Sequence, residues 1–254
     1  MIMPGGKPTM FFAVMMFAEP GAEIIYPNPG FPIYESVIRY AGATPVPMRL
    51  LEEKGFAFSA DEVLSQITLK TRLIIMNTPA NPTGGVTPKE ELDKLAAGLA
   101  EWPNVVVMSD EIYDRMLYDG RQHASMLAYE ELRDRLIVLN GWSKTYAMTG
   151  WRLGYSIWPE RLIGHVEKLA VNCHSCVNAS TQFAGIAALN GPQDYIRDSN
   201  LVFRDRRDLV VGMLNQARGI DCPSPEGAFY VYPSCKGLIG KKTASGKVIE
   251  TDQD

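Results

Sequence analysis

A lysine and an arginine lie eight positions apart in the segment SKTYAMTGWR (residues 143–152). The preceding RLIVLN (residues 135–140) is typical of a buried strand, so Lys144 is expected close to a strand end. Open α/β sheets place ligand-binding and catalytic groups at such ends. Taken alone, however, this segment favours the simpler interpretation of an exposed lysine in a surface loop.

Three further segments end apolar runs in polar groups, namely NTPANPTGG (77–85), SDEIYDRMLYDG (109–120) and YPNPGFPIY (26–34). Because the carboxyl ends of parallel strands line one crevice, Asn81, Asp110 and Tyr113 are expected to converge there with Lys144. Each also has a structural interpretation. NPTG is a common turn, Asp110 suits a helix cap, Tyr113 suits the core, and Phe31 suits simple packing.

The N-terminal region contains a candidate phosphate site. Gly5, Gly6 and Lys7 precede an apolar run, and Pro8 suits the first turn of a helix whose free amides would bind an anion. A signal peptide is the alternative for this region. Its apolar stretch, Met10 to Ala18, is too short to span a membrane, and no A-x-A cleavage pattern follows it.

The intervening sequence alternates between strand and helix patterns. Continuous apolar runs predict buried parallel strands in AEIIYP, RLIIMNTP, NVVVMSDE, RLIVLN and GYSIWP. Ser59 with Glu62 predicts a capping box before one helix, and Thr87, Pro88 and Glu90 predict the start of another, with the proline at its first position. The pattern therefore indicates an α/β sheet domain.

The pattern changes after residue 160. Two helical segments, ERLIGHVEKLAV and QFAGIAALN, precede a long charged helix over residues 195–217. GAFYVYP (227–233) is then predicted to be a strand of a second, smaller unit. These patterns divide the chain into a large domain over residues 1–217 and the start of a small, incomplete domain over residues 218–254.

Composition excludes several function classes. The 254 residues are 46% hydrophobic and carry a net charge of −4, with basic residues scattered, which argues against a nucleic-acid partner. Four cysteines do not form a disulfide framework, so a reducing, cytoplasmic location is expected. CHSC (173–176) is half of a zinc motif, but no second pair completes it, so no metal is predicted.

Three of these motifs, NPTGG, SDEIY and SKTYAMTGWRLGY, occur in an order and spacing that resemble the class I/II aminotransferases. These are pyridoxal-phosphate enzymes of fold type I, and the likeness is to their aspartate aminotransferase branch. The resemblance extends from GGK near the start to PEGAFYVYP near the end. It implies a three-layer α/β/α large domain with an incomplete small α+β domain.

The resemblance implies a role for each matched residue at the reacting end of the cofactor. Lys144 matches the lysine that forms a Schiff base with pyridoxal 5′-phosphate and then shuttles a proton. Asp110 matches the aspartate that keeps the pyridine nitrogen protonated. Tyr113 and Asn81 match the pair that binds the phenolic oxygen, and Phe31 matches the aromatic ring stacked on the pyridine.

At the phosphate end, Arg152 matches the phosphate-binding arginine, and Gly6 and Lys7 match the backbone amides of the phosphate cup. Many relatives carry a serine three residues before the lysine. This chain has Gly141 there, so the resemblance assigns more of the phosphate binding to Ser143, Arg152 and the backbone amides of the cup.

The implied activity is transamination between an amino acid, aspartate first, and a 2-oxo acid such as 2-oxoglutarate. Aromatic, alanine and prephenate-type substrates stay open. So do a same-fold lyase or decarboxylase, a non-catalytic ligand-sensing domain and a truncated pseudo-enzyme.

The family implies a homodimer, with residues 171–182 approaching the partner's cofactor. The family's N-terminal segment and its carboxylate-binding arginine have no match here. The 254-residue chain alone is therefore expected to bind cofactor weakly and to transaminate poorly.

Overall fold

A computed structural model describes residues 1–253 and is built around one seven-stranded mixed sheet. Its strands are β1 (Ile2–Met3), β2 (Glu23–Asn28), β3 (Thr44–Arg49), β4 (Thr71–Asn77), β5 (Val106–Asp110), β6 (Leu136–Gly141) and β7 (Gly154–Ile157). Their order across the sheet is β1-β7-β6-β5-β4-β2-β3. Strands β2 to β6 are mutually parallel, whereas β7 is antiparallel to β6 and β1 is antiparallel to β7.

Helices cover both faces of this sheet. They are α1 (Lys7–Phe17), α2 (Ile33–Tyr40), α3 (Ala60–Ser65), α4 (Lys89–Gly98), α5 (Trp142–Thr145), α6 (Glu160–His174), α7 (Ala179–Asn190) and α8 (Asp194–Leu214). Alternate side chains of each strand lie on opposite faces of the sheet and pack in two separate hydrophobic cores. Ile74 packs with residues of α3 and α4, whereas Leu73 and Ile75 pack with residues of α1, α2 and α6. The predicted three-layer α/β/α architecture is confirmed.

The five predicted strands are all present, but the sheet also contains the unpredicted edge strands β1 and β3, and one predicted strand differs in direction. The GYSIWP segment forms β7, which runs antiparallel to its neighbour, so the prediction of a parallel strand there is wrong. The edge strand β3 has no counterpart among the predictions. It contains Pro45 and Pro47, which lack the N–H of a ladder donor and which argue against a strand in the sequence.

The predicted helices α3 and α4 also form, but their predicted caps do not. Among the described residues, the Ser59 side chain caps no backbone amide; instead the carboxylate of Glu91 accepts a 2.7 Å hydrogen bond from the amide of Ala60. Helix α4 begins at Lys89, so Pro88 occupies the N-cap and not the first helical position. Tertiary contacts therefore replace the local capping box at α3.

Residues 227–233 were predicted to be a strand, and this prediction is wrong. Ala228 has a φ of 57°, a left-handed conformation that an extended strand does not contain. Its amide donates to the Met116 carbonyl at 2.9 Å, and the Tyr118 hydroxyl donates to its carbonyl. The segment lies against the residues that follow β5. The proposed domain boundary at residues 217 and 218 stays a prediction.

Candidate active site

A cavity of about 180 Å³ opens at the carboxyl ends of β5 and β6, beside the N-terminus of α1. All nine site residues predicted from the sequence line this cavity: Gly6, Lys7, Phe31, Asn81, Asp110, Tyr113, Ser143, Lys144 and Arg152. Its other lining residues are Met10, Ile112, Leu139, Thr149 and Tyr230. Residues up to 224 positions apart in the chain, Gly6 and Tyr230, thus line one pocket.

Asp110 ends strand β5 and is buried. Its Oδ2 accepts a hydrogen bond from the Tyr34 hydroxyl at 2.7 Å, and its Oδ1 accepts one from the Ile112 amide at 3.2 Å. Burial raises the pKa of Asp110 to about 6, while these two donors oppose the rise because they stabilise the charged form. The carboxylate is therefore ready to pair with a cationic group in the cavity.

Lys144 lies in α5, a single helical turn that directly follows β6, and not in the loop that the sequence indicated. Its Nζ is 5.1 Å from the centroid of the Phe229 ring and 5.8 Å from that of Tyr113. Burial lowers the pKa of Lys144, the charges of Arg152 and Lys7 act in the same direction, and Asp110 opposes them. A lowered pKa increases the fraction of neutral amine, which is the nucleophilic form.

Tyr113 and Asn81 lie side by side in the cavity. The Tyr113 hydroxyl is 2.6 Å from that of Tyr230, and burial raises the pKa of Tyr113. Asn81 is held by Asn77, whose Oδ1 accepts from the Asn81 amide at 2.7 Å and whose Nδ2 donates to the Asp110 carbonyl at 3.0 Å. The end of β4 therefore fixes the turn that carries Asn81 relative to Asp110.

The opposite end of the cavity is suited to an anion. Helix α1 starts at Lys7 with Gly6 as its N-cap and Pro8 in its first turn, as the sequence predicted. The first amides of a helix lack intrahelical partners, and the helix dipole favours negative charge at this end. The buried Ser143 lines the cavity nearby, so both backbone and hydroxyl donors are available.

Arg152 lies beside this helix N-terminus. Its guanidinium donates to the carbonyls of Thr149 at 2.9 Å and Pro4 at 3.2 Å. Within the described residues these bonds use two of its five N–H donors, so three remain for an anion. Gly5 has a φ of 86°, and a Cβ at this position would lie 2.3 Å from Nη2 of Arg152. The guanidinium therefore packs directly against the backbone of Gly5.

Three glycines pack against one another beneath this anion site. A Cβ on Gly154 would lie 2.7 Å from the carbonyl carbon of Gly5, and one on Gly141 would lie 2.8 Å from the Cα of Gly154. No side chain fits at either position unless the strands move apart. Gly141, where the resemblance expects a serine in many relatives, is therefore required by close backbone packing in this chain.

Sequence reasoning did not assign roles to Tyr34 or Tyr230. Tyr34 lies three residues after Phe31, and their rings meet edge to face at 6.0 Å, so helical spacing was the available signal. Tyr230 belongs to an aromatic segment that was interpreted as a strand, which hid its contact with Tyr113.

Within residues 1–253, no cluster of three or more histidine, cysteine or acidic side chains is arranged to hold a metal ion. Across the same residues, every helix is too short or too polar to cross a bilayer.

The cavity places a buried carboxylate, a lysine with a lowered pKa and an anion site at the strand ends of a mixed α/β sheet, which is the arrangement of pyridoxal-phosphate-dependent proteins of fold type I. The chain belongs to the class I and II aminotransferase family, whose model matches residues 1–251. The resemblance expected from the three motifs is thereby confirmed.

Individual relatives agree with this assignment. The chain is 44% identical over 251 residues to a probable aspartate/prephenate aminotransferase of Rhizobium leguminosarum bv. phaseoli, covering 98% of this chain and 63% of that protein. It is 39% identical over 250 residues to an aspartate/prephenate aminotransferase of Cereibacter sphaeroides, covering 98% and 62%. The crystal structure of the Rhizobium meliloti aspartate aminotransferase superposes with a TM-score of 0.95 at 37% identity, covering 99% of this chain and 63% of that one. The chain thus spans less than two thirds of the length of these relatives.

Proposed function

We propose that this protein is a pyridoxal-phosphate-dependent aminotransferase that moves an amino group between an amino acid, with aspartate first, and a 2-oxo acid such as 2-oxoglutarate. The observation that carries the proposal is the single cavity that collects Asp110, Lys144 and Arg152 from separate elements. A lyase or a ligand-sensing domain would use the same cofactor residues. The names of the relatives favour transamination.

The donor set fits the cofactor. When bound, pyridoxal phosphate supplies an aldehyde and an electron-accepting pyridine ring. Asp110 would hold the ring nitrogen, Tyr113 and Asn81 the phenolic oxygen, and Phe31 would pack on the ring face. Arg152, Ser143 and the amides of Gly6 and Lys7 would hold the phosphate.

The chain's own proton chemistry centres on Lys144. Its Nζ is the amine that would hold the cofactor's aldehyde carbon, with water released, and as a free amine it would carry the proton that leaves the substrate Cα. The lowered pKa supports this role because only the neutral amine accepts a proton. The aromatic rings of Tyr113 and Phe229 border the amine and limit its access to water.

Electrostatics support an acidic substrate. Lys7 is exposed at the cavity, with its Nζ 5.6 Å from the centroid of the Phe31 ring, and its ammonium would attract a second carboxylate. Aspartate and 2-oxoglutarate both carry two carboxylates. Prephenate, which is named for several relatives and is also a dicarboxylate, is the second candidate acceptor.

We also infer a homodimer and a cytoplasmic location. Exposed apolar side chains on α6 and α7, namely Val171, Phe183 and Ile186, support the first inference, because exposed apolar surface is common at protein–protein interfaces. The segment 171–182 connects these helices and would reach the partner's cofactor. The four cysteines are free thiols, which supports a reducing compartment.

The proposal is tested on the purified chain with added pyridoxal phosphate. We expect visible absorbance from the bound cofactor and, after borohydride reduction and peptide mapping, a label on Lys144. Lys144→Ala should abolish the label, whereas Lys168→Ala on the exposed face of α6 should not change it. Addition of aspartate should then bleach the visible band and release oxaloacetate slowly, because the 254-residue chain is expected to transaminate poorly.

A label on another lysine would overturn the cofactor assignment. A correct label without any spectral response to aspartate, alanine or aromatic amino acids would instead favour the ligand-sensing alternative.

A further inference from the structure

We propose that Tyr34 is a positioning residue for Asp110: its buried hydroxyl fixes the carboxylate and keeps it charged for the ring nitrogen of the cofactor. This inference rests on the proposed function, because the cofactor gives the positioned carboxylate its purpose. It concerns Tyr34 itself, to which neither the sequence motifs nor the relatives' names assign a role.

Two groups among the described residues donate hydrogen bonds to the carboxylate of Asp110. Tyr34 donates to Oδ2 at 2.7 Å and the Ile112 amide donates to Oδ1 at 3.2 Å. The shorter of these bonds comes from Tyr34. Each carboxylate oxygen accepts up to two hydrogen bonds, so the pair fixes the carboxylate plane and still leaves room for one further N–H donor.

The surroundings of Tyr34 make this hydroxyl a fixed donor. The side chain is 1% exposed, sits in the first turn of α2 and packs in the core with residues of α1 and the sheet. A buried hydroxyl without a partner is costly, so the bond to Asp110 holds both side chains. Phe31, which lines the cavity, directly precedes the N-cap of α2, so the start of this helix places both a ring face and the carboxylate's donor.

The charges around Asp110 explain why a donor is needed. Burial disfavours its ionised form, and the neighbouring Glu111 acts in the same direction. Lys144, from α5, opposes this effect, and the phenols of Tyr113 and Tyr230 face the same carboxylate. The hydroxyl of Tyr34 favours the ionised form, which is the form that can pair with a protonated ring nitrogen.

The first experiment needs no cofactor. The carboxyl ¹³C resonance of Asp110 is titrated in the cofactor-free chain for the wild type, Tyr34→Phe and the control Tyr129→Phe, which loses a 2.7 Å hydrogen bond to Asp93 far from the cavity. We expect Tyr34→Phe to raise the pKa of Asp110 and Tyr129→Phe to leave it unchanged. Replacing Tyr34 with 3-fluorotyrosine, a near-isosteric and more acidic phenol, should shift it in the opposite direction. An Asp110 titration unaffected by either change would overturn the proposal.

The second experiment uses the cofactor-loaded chain. Tyr34→Phe should weaken cofactor binding about tenfold, the usual scale for a hydrogen bond to a charged group. It should also reduce protonation of the ring nitrogen, followed by ¹⁵N NMR of labelled cofactor. In an Asp110→Asn background the same substitution should have little effect, because the group that it positions is gone.

Equal effects of Tyr34→Phe in both backgrounds would show a merely structural role and overturn the inference. Failure of the cofactor to attach to Lys144 in the wild type would count against the proposed function alone, since the titration of Asp110 in the cofactor-free chain is independent of it.

Discussion

The central sheet and helix α8 both carry clear apolar patterns, yet they bury very different amounts of that apolar surface. In β4, Leu73, Ile74 and Ile75 are 0% exposed. In α8 no residue is buried in the described structure, and Leu209 and Met213 are each 62% exposed. The pattern in the sequence specifies which element forms. Burial depends in addition on a partner surface that covers it.

The two regions also differ in the burial of their charged groups. The cavity contains buried groups such as Asp110, whose pKa is strongly shifted by its surroundings. Helix α8 carries ion pairs such as Arg197 with Asp194, in which both side chains are 68% exposed. Exposed pairs contribute little because water and salt screen them, so the chemistry of this protein is concentrated where the sheet excludes water.

A matched pair of leucine truncations gives the largest contrast. Leu73→Ala should lower the free energy of unfolding by about 2–5 kcal/mol, because it leaves a cavity in a packed core. Leu209→Ala should change it by no more than about 0.5 kcal/mol. Urea denaturation of both variants measures the difference. A loss at Leu209 equal to that at Leu73 would show that α8 is covered in solution.

Asp110 allows a test of the buried charge through pH. Its folded pKa of about 6 lies above the value of 3.8 for an unperturbed aspartate. The stability that it contributes is therefore present below about pH 4 and is lost as the pH rises to about 6. Without cofactor, Asp110→Asn should be more stable than the wild type at pH 7, on the order of 3 kcal/mol, with the difference shrinking towards pH 4. Stability curves that stay parallel between pH 4 and 7 would contradict the shifted pKa.

Replacing one glycine in each region with alanine should change the stability in opposite directions. Gly154→Ala forces a Cβ to within 2.7 Å of the Gly5 backbone and should cost about 1–3 kcal/mol, with weaker binding of phosphate or cofactor. A Cβ on Gly212, in α8, meets no atom within 4 Å, so Gly212→Ala should stabilise by about 0.5–1 kcal/mol through helix propensity. Thermal unfolding reports both signs. Stabilisation by Gly154→Ala would refute the glycine packing beneath the anion site.

The smallest expected effect concerns Lys7, an exposed cation that lines the cavity. Lys7→Gln should weaken the apparent affinity of the cofactor-loaded chain for aspartate by about fivefold or less, because aspartate has a second carboxylate. The apparent affinity for alanine, which lacks that carboxylate, should not change. Lys89→Gln, on the far exposed α4, is the matched control. Titration of the visible band with each amino acid measures the ratio. An equal loss for both amino acids would assign Lys7 to the phosphate and not to the substrate.

Much of the site was predictable because its residues follow continuous apolar runs. Asp110 is the last residue of β5, Lys144 lies in the single helical turn that follows β6, and parallel strands place such positions together. What could not be predicted depended on distant contacts. The bond from Tyr34 to Asp110 joins residues 76 positions apart, and Glu91 caps α3 from 31 positions away. The left-handed backbone at Ala228 interrupts, near its start, a segment whose composition favours a strand.

The pairing of β1 with β7 sets an order of events during synthesis. Met3 pairs with Gly154, and Gly5 packs on the same glycine, so the anion site needs two segments about 150 residues apart. Ribosomes add roughly 5–20 residues per second, so the early segment waits on the order of ten seconds or more for its partner. Loop closure over that distance carries an entropic cost that local contacts do not. A nascent chain therefore has no complete phosphate cup until β7 emerges, and cofactor loading follows the assembly of the sheet.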